Sequence, residues 1–211
     1  MSGSAVVIGA TGAIGAALEA ALIDEGGHAR VYGFARSRGG ADHLDFTDEA
    51  SIATAAARVA AGPAPTLILV ATGLHETDDA RREDIDADLM TRQFVVNSIG
   101  PALVAKHFLP LLATSGTPIF AVLSARDGSI GDNRLGGAYA LRASKAALNM
   151  VVKTLAVEAA RDKQRAVIVA VDPGAGSDAE RSALQLLDLL EEIGVKDSGK
   201  FLSWDGSEIT P

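Results

Sequence analysis

Ile8-Gly9-Ala10-Thr11-Gly12-Ala13-Ile14-Gly15 joins a short apolar run to a helical pattern. Glycines at such a junction let the backbone turn tightly and approach a pyrophosphate. The free N–H groups at the start of the next helix then face its charge. The spacing departs from Gly-x-Gly-x-x-Gly, the usual dinucleotide pattern. Gly9, Thr11, Ala13, Ile14 and Gly15 are the candidate contacts. A glycine turn kept only for packing is the plainer alternative. Dinucleotide sites place the residue that recognises the ribose about 20 residues further on. There the chain reads Gly33-Phe34-Ala35-Arg36-Ser37-Arg38, with two arginines and no carboxylate. A guanidinium fork pairs bidentately with phosphate oxygens, so Arg36 and Arg38, with Ser37 between them, suit a 2′-phosphate. The pattern favours NADP(H) over NAD(H), against the alternative of a solvated basic loop.

These residues need a scaffold, and the hydrophobic pattern supplies one. Nearly continuous apolar runs at 5–8, 29–35, 66–71, 119–124 and 166–171 read as strands buried on both faces. Helical stretches lie at 14–25, 47–61, 90–112, 143–161 and 178–193. Strand–helix alternation predicts an α/β doubly wound parallel sheet of about seven strands, with right-handed crossovers and helices on both faces. Residues 201–204 add a final edge strand. Residues 62–65 form a turn rather than a boundary, so one domain is expected over residues 1–211.

Composition narrows the function classes. A net charge of −8 and 4% aromatics argue against nucleic-acid partners. The absence of cysteine excludes disulfides, thiol catalysis and thiolate metal sites. His28, His43, His75 and His107 show no ligand spacing, so no metal is expected. No unbroken apolar run is long enough to span a membrane, and the N-terminus has no signal-peptide pattern. A cytoplasmic location is the default. The charge-rich stretch 76–88 reads as a solvated loop and helix start.

The chain resembles the short-chain dehydrogenase/reductase family over nearly its whole length, and within it the C-factor-like branch of small carbonyl reductases. The resemblance rests on Gly9-Ala-Thr-Gly-Ala-Ile-Gly15, Leu44-Asp-Phe-Thr-Asp48, Val96-Asn-Ser-Ile-Gly100, Leu123-Ser-Ala-Arg-Asp-Gly-Ser-Ile130 and Ala143-Ser-Lys-Ala-Ala-Leu-Asn149. Asp172-Pro-Gly174 and Gly199-Lys-Phe-Leu-Ser-Trp-Asp-Gly206 also fit. It implies a Rossmann-type fold and a small carbonyl or alcohol substrate. A homodimer or homotetramer would pair helices 90–112 and 143–161, whose Ala146, Ala147, Ala156, Ala159 and Ala160 would face a partner or the sheet. It further implies that Asp45 holds the adenine amino group beside Phe46 and that Ala71 and Gly73 follow the strand at 66–71. Asn97 holds a water of a proton relay, Lys145 binds the nicotinamide ribose, and Pro173 and Gly174 line the nicotinamide end.

Two departures bear on the chemistry. The family pattern Tyr-x-x-x-Lys asks for a tyrosine at 141, and Leu141 stands there. The serine that polarises the carbonyl falls at 125, occupied by Ala125. A phenol with a pKa of about 10 protonates the substrate oxygen when an ammonium lies beside it; leucine does not. Ser124 is a substitute donor, and so is Tyr139, if it lies in the loop. If the helix has begun by 139, a displacement of about 200° from position 141 points it away. The segment 174–178 is short for a substrate lid and enters a helix at Asp178, a good N-cap. Two functions follow: an NADP(H)-dependent oxidoreductase of carbonyls and alcohols, or a catalytically impaired dinucleotide-binding sensor or interaction protein.

Overall fold

Val6, Val7, Ile68, Val70, Val167, Ile168 and Val169 have no exposed surface. Strands enclosed on both faces belong in a parallel sheet covered by helices on either side. The computed structural model, which describes residues 3–174 and 178–211, has this architecture. Its strands are β1 (Ser4–Ile8), β2 (Arg30–Phe34), β3 (Pro65–Val70), β4 (Ile119–Leu123), β5 (Val167–Asp172) and β6 (Phe201–Ser203). They form one six-stranded sheet in the order β2-β1-β3-β4-β5-β6, with every pair parallel.

The helices are α1 (Ala13–Glu25), α2 (Glu49–Ala60), α3 (Ala87–Phe94), α4 (Gly100–Phe108), α5 (Tyr139–Arg161) and α6 (Ala179–Glu192). Side chains alternate across the sheet. Val6 and Ile8 pack with Ile52 of α2, Val104 and Phe108 of α4, and Leu148 and Val152 of α5. Ala5 and Val7 pack with Leu18 and Leu22 of α1 and with Leu186 and Leu190 of α6. Ala156 and Ala159 belong to the first core, while Ala160 is exposed and Ala146 and Ala147 are half-buried. Asp178 caps α6 by accepting from Arg181 N at 3.0 Å. Residues 175–177 of the short lid lie outside the described residues.

The sheet has six strands where about seven were expected. After β2 the chain touches the sheet again at a single parallel bridge, Ala35 to His43. A tight excursion through Gly39 and the 3-10 turn Gly40–Asp42 returns it there. The stretch 43–46 then leaves along the site rather than continuing as a strand.

The helix expected over 90–112 is interrupted. α3 runs into a π-helical turn at Val95–Ile99, where Gly100 N bonds to Val95 O, and α4 follows. Pro101 has no N–H for the carbonyl of Asn97, so the regular ladder fails at this point. The run Ala87–Leu111 has the length and apolar character of a membrane span. It nonetheless buries Gln93 and Asn97, both hydrogen-bonded to the loop after β3, as a core helix does. α5 starts at Tyr139, ahead of the expected 143. Gly136, Gly137 and Ala138 all have positive φ, and Asp79 Oδ2 caps the helix from a distance by accepting from Ala140 N at 2.7 Å.

Candidate active site

Two adjoining cavities, of about 290 and 630 Å³, lie along the C-terminal ends of the strands and share Gly12 and the stretch 71–74. Together they form a trough. The phosphate turn is its middle. Gly9 has φ +92, and a Cβ there would stand 2.7 Å from Ala71 O. A Cβ on Gly15 would stand 2.2 Å from Gly9 O, so Gly15 serves the close packing of α1 on the turn. α1 has no side-chain cap and no acidic residue in its first turn. Ala13 and Ile14, whose N–H groups belong to that uncapped turn, border the larger cavity. An open helix N-terminus on a groove fits a pyrophosphate.

Arg36, Ser37, Asp45 and Phe46 border the smaller cavity with Thr11. Ser37 Oγ and Thr11 Oγ1 lie 2.9 Å apart. Arg36 is exposed and makes no ion pair among the described residues. Arg38 does not join it. Its guanidinium binds Glu19 through two bonds of 2.9 and 2.5 Å and Gly33 O at 2.6 Å. Gly33 is required for this pair, since a Cβ there would stand 1.9 Å from Glu19 Oε1. Asp45 Oδ1 accepts from Thr47 N at 2.9 Å and from Thr47 Oγ1 at 2.8 Å. The backbone bond is the chief cause that holds this carboxyl below its ordinary range. The α4 backbone passes close over Phe46 because Gly100 has no side chain; a Cβ there would stand 2.2 Å from the ring.

The larger cavity is lined by Lys145, Ser124, Ala125, Asp172, Pro173, Gly174 and Trp204. Lys145 Nζ donates to Leu123 O at 3.0 Å. Burial pushes its ammonium down from 10.5 to about 8, partly opposed by the charge of Asp172. Burial also raises the Asp172 carboxyl, against the backbone N–H of Gly174. A Cβ on Gly73 would come within 3.3 Å of Lys145 Nζ, so this glycine leaves the amine open to the trough. Ser124 borders the cavity, but its hydroxyl is spent on Asn149 Oδ1 at 2.8 Å.

Asn97 is fully buried in the π-helical turn. Its amide clips the loop after β3, accepting from Leu74 N at 2.8 Å and donating to Leu74 O at 2.9 Å. Its Nδ2 also faces Ser144 Oγ at 3.0 Å, and that hydroxyl donates to Leu141 O. The side chain expected to serve a relay thus ties the loop, the π-turn and α5 together. Leu141 is 1% exposed and borders neither cavity of the trough. Tyr139 opens α5 and lines a separate groove with Ile130, Arg142 and Ala146. The structure therefore brings Ser124, Ala125 and Lys145 to one cavity and leaves Tyr139 out of it.

Several site residues escape a reading of the sequence. Asp172 precedes a recognised Pro-Gly pair but has no signal of its own. Asp79 falls within the stretch read as solvated, yet it is fully buried and caps α5. Gln93 straps the same loop through Glu76 O at 2.6 Å.

The family model described as enoyl-(acyl carrier protein) reductase matches residues 9–188. The C-signal protein of Myxococcus xanthus is 33% identical over 136 residues, covering 60% of this chain and 81% of that protein. 1-Hydroxy-2-glutathionyl-2-methyl-3-butene dehydrogenase of Rhodococcus sp. (strain AD45) is 30% identical over 177 residues, covering 78% and 76%. Among solved structures, Sniffer of Caenorhabditis elegans superposes with a TM-score of 0.85 at 26% identity over 99% of both chains. A carbonyl reductase from chicken fatty liver with NADPH bound gives 0.82 at 25% identity over 100% of this chain and 99% of that one. The family model spans most of the chain, and the parallel sheet with its flanking helices is matched by solved reductases over their whole length; the chain belongs to the short-chain dehydrogenase/reductase family.

Proposed function

We propose that this protein binds NADP(H) in the trough and is a catalytically impaired carbonyl oxidoreductase, acting chiefly as a dinucleotide-binding protein. One contrast carries the reading. The residues read as dinucleotide contacts line the trough, whereas Leu141, at the position read as the phenol's, is sealed away from it. When bound, the nicotinamide supplies or accepts a hydride. The chain's own part is to bind and orient. The N–H groups of Ala13 and Ile14 face the pyrophosphate, Asp45 accepts from the adenine amino group, and Arg36 with Ser37 and Thr11 meets the 2′-phosphate. Lys145 donates to the ribose hydroxyls. No phenol delivers a proton to a carbonyl oxygen, and Ala125 offers it no hydrogen bond.

An active oxidoreductase of small carbonyl compounds is the second reading. The relatives favour it, as does the cavity beside Lys145. Calorimetric titration with NADPH and NADH tests the first claim: micromolar NADPH binding, weaker for NADH, is expected, and no binding of either refutes it. Exposed Ile99, Met150 and Val157 on the π-turn and α5 support pairing of two copies, which sedimentation would read.

A further inference from the structure

Lys145 is kept where the acid it serves in the family is gone. Among the described residues its one hydrogen bond is to Leu123 O. Among the described residues no carboxylate lies within ion-pair distance of Nζ, so Asp172, the charge it feels, stands across a gap. Gly73 leaves the amine uncovered, and Leu123 and Ala125 make the adjoining wall apolar. The cavity they enclose, about 630 Å³, holds a small organic molecule. A lysine becomes a carbonyl nucleophile when desolvation frees its amine and an acid stands near to expel water. Both conditions meet here.

We propose that, when no dinucleotide occupies the trough, Lys145 condenses with small aldehydes or 2-oxo acids in this cavity to form an imine, with Asp172 as the acid and base. The Nζ lone pair forms a C–N bond to the carbonyl carbon as the π pair moves to oxygen. One amine proton passes to that oxygen and gives a carbinolamine. The Asp172 carboxyl protonates the hydroxyl, the C–O bond breaks and water leaves. The remaining N–H proton returns to the Asp172 carboxylate. The net change is amine plus carbonyl to imine plus water, with no redox step. Burial moves both groups toward these roles, lowering the ammonium and raising the carboxyl. Ser124 does not compete as the acid, since its hydroxyl is held by Asn149. Arg126, Asp127 and His75 are the other titratable groups on this cavity. Arg126 and His75 are cations or potential cations that suit the carboxylate of a 2-oxo acid.

The test is reductive trapping of the full chain with glyoxylate and cyanoborohydride, read by peptide mass mapping. Lys145 should label at least about tenfold faster than the exposed Lys153 and Lys196. Saturating NADPH should block this labelling, and Lys145→Arg should abolish it. Asp172→Asn should slow it about tenfold with an unchanged melting temperature, and Asp172→Glu should restore part of the rate. Labelling of Lys145 no faster than the surface lysines overturns the proposal. If Asp172→Asn does not fold, the wild-type pH–rate profile decides: a bell shape supports the pair, and a rate rising monotonically with pH removes Asp172. The cofactor titration is independent of these readouts, so failure here leaves the dinucleotide reading standing.

Discussion

Replacing Lys145 by methionine should stabilise the cofactor-free protein at neutral pH while weakening dinucleotide binding. Folding buries the ammonium and lowers its pKa from 10.5 to about 8. At 1.36 kcal/mol per tenfold change in proton affinity, that cost is about 3 kcal/mol. Methionine fills a similar volume without charge. It leaves Leu123 O without its donor, which returns about 1 kcal/mol of the gain. The net expectation is about 2 kcal/mol at pH 7, or roughly 4–8 °C in melting temperature for a chain of this size. The sign with pH follows from linkage. Below about pH 8 the lysine is charged in both states and the full cost is present. Between about 8 and 10.5 the unfolded chain still holds the proton that the folded one has lost, so wild-type stability rises relative to the variant. Urea unfolding of both proteins at pH 7 and pH 10 measures this, because their difference isolates the one group. A methionine variant less stable than wild type at pH 7, or a difference that does not narrow with rising pH, would refute the reasoning.

Other substitutions separate the remaining roles. Arg36→Ala should weaken NADPH binding about tenfold or more and spare NADH, measured by calorimetry. Arg38→Ala should change neither preference and instead cost about 1 kcal/mol in denaturant, because its charge is bound to Glu19 and Gly33 O. Leu141→Tyr with Ala125→Ser should raise NADPH-dependent reduction of a small aldehyde, followed by loss of cofactor absorbance. Since Leu141 is 1% exposed, the larger ring should also cost about 1–3 kcal/mol of stability. Tyr139→Phe should leave any wild-type turnover unchanged, since Tyr139 lines another groove. Asp79→Ala should destabilise by about 1–2 kcal/mol through loss of the α5 cap, seen as a lower urea midpoint.

What the sequence discloses divides by the range of the interaction. The sheet and its alternating cores follow from runs such as 5–8 and 166–171, because burial on both faces leaves a continuous apolar signature. The phosphate turn is legible because glycine is demanded by local backbone geometry. Arg36 and Arg38 look alike in the sequence. Only the packing of α1 against β2, which places Glu19 beside Gly33, tells them apart. The stretch 76–88 is charge-rich throughout, yet one of its carboxylates is sealed under the start of α5. A cap that comes from 61 positions away leaves no local pattern. The break in the helix over 90–112 had a visible cause in Pro101, but apolar periodicity outweighs one residue in such a reading. The standing of Leu141 depends on what surrounds it, and spacing alone gives its place without its environment.

The π-helical turn at Val95–Ile99 also matters for comparing this chain with others. A π turn holds one residue more than the α turns on either side, so in effect it is a single-residue insertion in an otherwise regular helix. Removing that residue would close the π turn and rotate one half of the helix against the other by about 100°. Asn97 would then lose Leu74, or α4 would turn its Val104 and Phe108 away from the sheet. Length is therefore constrained here as tightly as residue type. A relative that lacks one position between 95 and 99 should also lack the amide clip that holds the trough's floor, however similar its remaining residues.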